Sequence, residues 1–249
     1  MNIEMYELKH DTYYFFRQQI KLIVFISIIA TLSSILIDIL IRPNMYILSI
    51  IEHRKFKDSI SLLDFINSMS IEEKKELFKY SLLKMTEFLI SKTLLLGGIM
   101  TLIKTLSNNY KRPIITYMYS LFSCLPNLLI LNFITALIIQ ISFIFLIIPG
   151  IFLSVLLSLS PIIFYFNKHS IAKSMYLSII ISFKNIKIIG LGILYWMFGK
   201  FVLTIIFSHT YFLNKNFSFL ISSISMNILY AILAIYLFRF YVLFTNAPK

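Results

Sequence analysis

Charged residues are scarce in this sequence, and one long part of it has none. They make up 14% of the 249 residues, against about 25% in an ordinary soluble domain. From Pro113 to Asn167 there are 55 consecutive residues without Asp, Glu, Lys or Arg. A soluble fold needs a wetted surface, which such a stretch does not supply. Two membrane spans joined by a tight turn account for its length.

Cysteine and catalytic motifs are scarce as well. The single cysteine, Cys124, excludes an intrachain disulfide, and in an apolar segment it is interpreted as packing. H-E-x-x-H, G-x-S-x-G and a P-loop are all absent. No histidine has a partner at metal-ligand spacing, and each is interpreted as solvated or interfacial. We therefore predict no enzyme, no metal and no cofactor. The histidines are His10, His53, His169 and His209.

Acidic residues are outnumbered, which leaves a net charge of +12. In a soluble protein that excess would suggest nucleic acid as a partner. Here the Lys and Arg side chains lie in segments between apolar runs, where they set topology and meet anionic lipid. The predicted partners are the lipid bilayer and other membrane proteins, and not nucleic acid.

What the sequence has instead is a series of long apolar runs. Each reaches the roughly 17–25 residues that a helix needs to cross the hydrocarbon core, and none alternates as a β-barrel strand would. The prediction is an all-α, polytopic transmembrane bundle that forms one integral membrane domain over 1–249. The six predicted spans are 22–41, 88–107, 127–147, 151–167, 188–208 and 217–238.

The distribution of Lys and Arg predicts the orientation. With the N-terminus inside, the short inner segments carry 12 Lys and Arg and the short outer segments carry one. The long segment 42–87 is excluded from this comparison, because the rule is less reliable for long loops. Both termini are therefore predicted to lie on the cytoplasmic side.

Two local signals refine the connections between spans. Segment 42–87 is predicted to be an extramembrane loop, in which Ser70 and Glu73 form a capping box. That box predicts a helix over 71–84 that runs into the second span. Pro149 and Gly150 predict a break between the third and fourth spans.

Amphipathic segments precede spans 1, 3 and 5, which indicates three copies of an interfacial helix followed by two spans. The clearest is 170–182, where serines recur every four residues and the opposite face is apolar. Segment 113–123 has a similar narrow polar stripe, and the N-terminal segment mixes tyrosines with charges. The alternative is that these segments are turns or frayed span starts. The serines are Ser170, Ser174, Ser178 and Ser182.

Lys200 is the most notable polar residue within a span, because charge is costly in hydrocarbon. Three interpretations are open. Its side chain snorkels outward, pairs with Asp38 of the first span or another acceptor, or serves a solute or proton path. Lys92 and Lys104, near the ends of the second span, are interpreted as snorkelling.

Amides in spans 3 and 6 are the other candidates. Asn132 and Gln140 lie eight residues apart on one helix face, and Asn227 lies in the last span. They predict hydrogen bonds between helices, with a polar cavity lining as the alternative. The fragment Gly190-Leu191-Gly192 predicts close helix packing.

Several short motifs resemble a known family. These are Asp11-Thr12 with Phe15-Phe16-Arg17, Gly97-Gly98, Pro149-Gly150-Ile151, and Tyr236-Leu237-Phe238-Arg239 with Tyr241. Together they resemble the YciC-like inner-membrane proteins of Gram-negative bacteria, over nearly the whole chain. The resemblance implies a six-span protein of the inner membrane, and it implies no activity.

Two functions from different classes follow from these observations. The first is a non-catalytic membrane component that packs against partner proteins or lipids. The second is a small-solute or ion transporter. The candidate residues Asp38, Asn132, Gln140, Lys200 and Asn227 discriminate between the two: polar side chains that face one wet cavity favour transport, and those that face lipid or neighbouring helices favour packing.

Overall fold

A computed structural model describes residues 5–41, 67, 69–107, 114–167, 169–208 and 215–246. These residues form helices and no strands, which confirms the all-α prediction. The helices are α1 (Met5–Gln18), α2 (Ile20–Ile41), α3 (Ile71–Ser107), α4 (Ile114–Phe145), α5 (Ile147–Leu157), α6 (Ser160–Asn167), α7 (Ile171–Lys184), α8 (Ile186–Ser208) and α9 (Lys215–Asn246).

The chain packs as two compact units. The first unit contains Met1–Thr31 and Lys92–Lys249, and the second contains Leu32–Ser91. The apolar core of the first unit is built around the second half of α9, where Ala231, Ile235 and Phe240 are fully buried. Side chains of α3, α5, α6 and α8 pack against it.

Six helical stretches among the described residues are long and apolar enough to cross a membrane, which confirms the six predicted spans. Their mean hydropathy ranges from 1.4 to 2.5. The stretches are Ile20–Ile39, Ile71–Lys104, Phe122–Phe145, Ile147–Asn167, Ile186–Ser208 and Ser218–Thr245.

The start of α3 confirms the predicted capping box in the second unit. The Ser70 backbone N–H donates to Glu73 Oε2 at 2.8 Å, and the Glu73 N–H donates to Ser70 Oγ at 3.2 Å. The helix then runs without interruption from Ile71 to Ser107, so the helix predicted over 71–84 does continue into the span. The preceding part of the predicted loop, 42–66, lies outside the described residues.

The predicted break between spans 3 and 4 is displaced. It lies at Leu146, whose extended backbone (φ −160°, ψ 149°) separates α4 from α5. Pro149 lies in the first turn of α5. Backbone N–H groups in a first turn have no partner within the helix, so proline, which has no N–H, loses no hydrogen bond there. Gly150 then allows the Phe143 ring to lie close to the backbone of α5, because a Cβ at position 150 would lie 2.5 Å from that ring. The prediction located the break three residues too late.

The fourth span is two helices instead of the single one predicted. Helix α5 ends at Leu157 and α6 begins at Ser160. Pro161 has no N–H to continue the hydrogen-bond ladder, and the Ser158 N–H bonds to Val155 O, one residue short of the α-helical spacing. The interruption lies inside the protein, because Leu159 and Ser160 are fully buried.

Two of the three predicted amphipathic segments form separate short helices. Helix α1 precedes the first span and α7 the fifth, and each is followed by a single residue, Gln19 or Asn185, that breaks the helix. The segment before the third span is different, since α4 continues from Ile114 through Pro126 into the span. Each of these two short helices packs on a span from another part of the chain. Helix α1 packs on α9, which contains the sixth span, and α7 packs on α5 and α6, which form the fourth span.

The serine face of α7 is turned inward. An interfacial helix would present its polar face to water, yet Ser174, Ser178 and Ser182 are fully buried. Tyr176 and Phe183, on the other side, are exposed. Small side chains let helices approach closely in a membrane, and here the Ser178 hydroxyl donates to the Leu156 carbonyl at 2.7 Å. The serines are therefore a packing surface.

Two of these serines make a matched pair for a test. Ser178→Ala removes the bond to Leu156 O, so we expect it to lower the free energy of unfolding by about 1 kcal/mol. The Ser182 hydroxyl is buried and has no hydrogen-bond partner among the described residues. Ser182→Ala should therefore be neutral or slightly stabilising. Thermal unfolding of the purified protein in detergent measures both, and equal losses would contradict this role for Ser178.

Candidate functional site

A polar cluster within the first unit joins three spans. Asn227 of α9 is 6% exposed. Its amide nitrogen donates to Thr31 Oγ1 on α2 at 2.9 Å, and its amide oxygen accepts from Lys92 Nζ on α3 at 3.2 Å. The Lys92 ammonium also lies 4.6 Å from the centroid of the Tyr230 ring. One lysine is thus held by an amide and by an aromatic face, both from α9.

The cluster lies near the middle of its spans. Thr31 is 11 residues from Ile20, Lys92 is 12 from Lys104, and Asn227 is 9 from Ser218. At about 1.5 Å per residue, these separations place them about 14–18 Å from a span end. The hydrocarbon core is about 30 Å thick. A lysine that is held inward at this depth is costly, and such residues mark sites of function or of helix association.

The structure corrects the snorkelling interpretation of Lys92. Because the start of the second span was predicted at residue 88, Lys92 was counted as an end residue. The helix in fact begins at Ile71, and the lysine bonds inward to Asn227. Its distance from Lys104, at the far end of the same span, was the sequence signal that could have shown its depth.

Lys200 lies on the surface of the protein near this polar cluster. It is exposed on α8, and its ammonium is 5.8 Å from the centroid of the Trp196 ring one turn earlier. Trp196 in turn packs edge-on against Tyr230, with 6.1 Å between ring centroids. Two aromatic rings therefore separate the exposed lysine from Lys92. The snorkelling interpretation of Lys200 stays a prediction.

The two amides predicted to share a face of the third span have different environments. Asn132 donates from Nδ2 to Thr93 Oγ1 on α3 at 3.0 Å, which is the predicted bond between helices. Gln140, eight residues further along α4, is exposed. The structure therefore brings Asn132 into the bundle and leaves Gln140 on its surface.

Asp38 belongs to a separate polar cluster, in the second unit. Its carboxylate forms an ion pair with Lys84 of α3. The same ammonium donates to Glu87 Oε2 at 2.9 Å. The other oxygen of Glu87 accepts from the Ser34 hydroxyl. The sequence offered Lys200 as a partner for Asp38, whereas the partner found for it in the second unit is Lys84.

This ion pair gives a testable coupling. We expect Lys84→Met and Asp38→Asn to be non-additive by about 1 kcal/mol or less, since both side chains are about one-third exposed and water screens the pair. A thermal-unfolding double-mutant cycle measures this. Lys79 is an exposed lysine on the same helix, and a cycle of Lys79→Met with Asp38→Asn should be additive. A Lys84 cycle that is equally additive would count against the pairing.

A small cavity adjoins the first polar cluster. It has a volume of about 180 Å³ and lies among α4, α5, α6, α8 and α9. Most of its lining is apolar, but several polar groups reach it. Those polar residues are Asn132, Thr135, Ser154, Ser158 and Tyr230.

A more polar cavity of about 740 Å³ lies where α3, α4, α6 and α7 meet. Lys104 and His169 line it, together with Asn127 of α4. The Lys104 ammonium is 5.3 Å from the centroid of the Tyr165 ring, so this lysine too lies over an aromatic ring. Among the residues that the structure describes, no three His, Cys, Asp or Glu side chains come close enough together to hold a metal ion.

Comparison with known proteins places the chain in a family. The model of the uncharacterised protein family UPF0259 matches residues 1–243. A UPF0259 membrane protein of Buchnera aphidicola from Schizaphis graminum is 57% identical, over 99% of this chain and 100% of the relative. The counterpart in Buchnera aphidicola from Baizongia pistaciae is 34% identical over the full length of both.

More distant relatives match over the same length. A UPF0259 membrane protein of Serratia proteamaculans is 28% identical, over 98% of this chain and 99% of the relative. No solved structure matches the chain. The family model covers nearly the whole chain, the curated relatives are membrane proteins, and the described helices are long and apolar enough to span a membrane: this chain belongs to the UPF0259 (YciC-like) family of bacterial membrane proteins.

Proposed function

We propose that this protein is a non-catalytic, multi-pass component of the bacterial inner membrane that packs against lipids and partner membrane proteins. Both termini would lie on the cytoplasmic side, as the placement of Lys and Arg favours. The proposal concerns a structural or accessory role, with recognition through its outer surface.

One observation carries this proposal. Asn227 bonds across helices to Thr31 and Lys92, and Asn132 bonds across helices to Thr93. Lys200 and Gln140, which do not share these bonds, face outward. Bonds of this kind hold helices together in a membrane. They support packing between helices, and not a water-filled path lined by the candidate residues.

The outer surface offers places where other molecules would pack. Residues around the turn between α4 and α5 are strongly exposed and entirely apolar, with Ile144 at 82% and Ile148 at 80%. Exposed apolar residues are expected wherever a membrane protein meets lipid, and a contiguous patch also suits a partner helix.

The test is extraction of the protein in native lipid particles, followed by mass spectrometry of the proteins that come with it. We expect a membrane protein in near-stoichiometric amount, enriched over particles from cells with an untagged chain. A matched variant, Ile144→Ser with Ile148→Ser, should reduce that enrichment if the partner uses this patch. Particles that contain this chain alone would contradict a role with protein partners.

A small-solute or ion transporter is the second candidate. The observation that favours it is the inward-facing Lys92, which lies over Tyr230, a residue that lines the small cavity. Intramembrane lysines of this kind can lie on ion or proton paths. Uptake measured in vesicles that contain wild type or Lys92→Met distinguishes the two functions. A lysine-dependent flux would favour transport over the packing role.

A further inference from the structure

An apolar groove of about 470 Å³ runs along the first unit between α1, α8 and α9. Its volume lies within the roughly 300–1,000 Å³ of sites that hold small ligands. Phe16 of α1 and Leu229 and Leu233 of α9 contribute apolar side chains to its lining. The groove is open to the outside, since Tyr13 and Tyr195 on its rim are 62% and 60% exposed.

One positive charge marks this groove. Of the residues that line it, Lys9 of α1 alone carries a charge. The Lys9 ammonium lies 5.2 Å from the centroid of the Tyr195 ring on α8. This contact places the charge beside Tyr195, which lines the groove and is exposed, as is Tyr13. The groove therefore combines a mainly apolar lining with one cationic side chain and exposed tyrosines.

We propose that this groove binds one anionic phospholipid of the surrounding bilayer. An acyl chain lies against the apolar walls, and the phosphate lies at Lys9. The inference rests on the proposed function, in which the chain packs against lipids, and it names the lipid class and the site. Basic residues at the edge of apolar grooves in membrane proteins are suited to anionic headgroups.

The position of the groove favours a lipid over other occupants. Helix α8 forms one wall, and it is the least buried of the six described spans, with 11% of its most apolar 18-residue stretch buried inside the protein. That wall is therefore open to the bilayer along the span. An extended partner peptide would bring backbone polar groups that an apolar wall cannot satisfy. A phospholipid presents hydrocarbon to the walls and a negative charge to the lysine.

The experiment is native mass spectrometry of the full-length protein in detergent, titrated with phosphatidylglycerol or with phosphatidylcholine of the same acyl chains. We expect wild type to bind phosphatidylglycerol about fivefold more tightly, as one lysine near an anionic lipid contributes. Lys9→Gln should abolish this preference. Lys173→Gln, an exposed lysine on α7 away from the groove, should retain it.

A second variant tests the groove itself. Ile232 lines the groove and is half-buried, so Ile232→Trp should fill part of it and weaken binding of both lipids. Equal affinities for the two lipids in wild type, or a preserved preference in Lys9→Gln, would overturn the proposal. So would unchanged binding by a folded Ile232→Trp protein. Co-purification of a protein partner would be unaffected by any of these results, so the two proposals fail separately.

Discussion

Replacing Asn227 with leucine is expected to lower the free energy of unfolding by about 2 kcal/mol. The substitution removes the bond to Thr31 and takes away the amide oxygen that accepts from the Lys92 ammonium. A lysine near the middle of the bilayer then loses a partner in a medium where water cannot replace it. Thermal unfolding in detergent, with each variant compared to wild type, gives the loss directly.

A second substitution shows whether the lysine is the cause. Lys92→Met removes the ammonium group that donates to the Asn227 amide oxygen. The loss of unfolding free energy in the double variant should therefore be smaller than the sum of the two single losses, by about 1 kcal/mol. Gln140→Leu is the matched control, because its amide is exposed on α4. We expect its effect to stay within about 0.5 kcal/mol. An additive cycle would mean that Lys92 and Asn227 do not depend on each other.

Gly192→Ala is expected to destabilise the protein by about 1–3 kcal/mol, because it overfills a tight contact. A Cβ at this position would lie 2.8 Å from Cδ1 of the Tyr236 ring on α9. The ring has little freedom to move, since Tyr236 is buried and its hydroxyl donates to the Ile188 carbonyl at 2.9 Å. The approach of α8 to α9 therefore depends on the absence of a side chain.

Gly190, two residues earlier on the same helix, is the control. Among the residues that the structure describes, a Cβ there would meet only Val155, at an ordinary 4.0 Å. Alanine is a better helix former than glycine by about 1 kcal/mol, so Gly190→Ala should be neutral or stabilising. Melting temperatures of the two variants side by side decide the matter. A similar decrease for both would show that helix packing at Gly192 is not the cause.

Gly190 and Gly192 also show what a sequence fragment can and cannot specify. The fragment predicted close helix packing, and the structure confirms it for Gly192. Nothing in the sequence distinguished the two glycines, because which of them faces α9 depends on how α8 is rotated in the bundle. That rotation is decided by all the contacts of α8 together.

The polar candidates show the same limit. The sequence predicted that Asn132 and Asn227 form hydrogen bonds between helices, because an amide in a span needs a partner. It could not identify Thr93, Thr31 or Lys92 as those partners, since they lie on other helices and far away in sequence. Asp38 was identified by its charge, but its partner Lys84 was assigned to the loop and not considered.

The sequence by itself determined that this protein lies in a lipid bilayer and that it has six spans. Backbone groups in apolar runs of this length must be satisfied within the run itself, so six helical spans follow from the sequence alone. The capping box at Ser70 likewise depends on residues three apart. Such features involve only neighbours along the chain.

Only the tertiary structure decided which faces of the helices turn inward. A stripe of serines on α7 is polar by composition, yet it is buried because small side chains let α7 approach α5 and α6 closely. Lys92 faces Asn227, and Lys200 faces outward, although both are lysines within apolar segments. Their environments depend on neighbouring helices, and contacts between distant segments are set only when the bundle has packed.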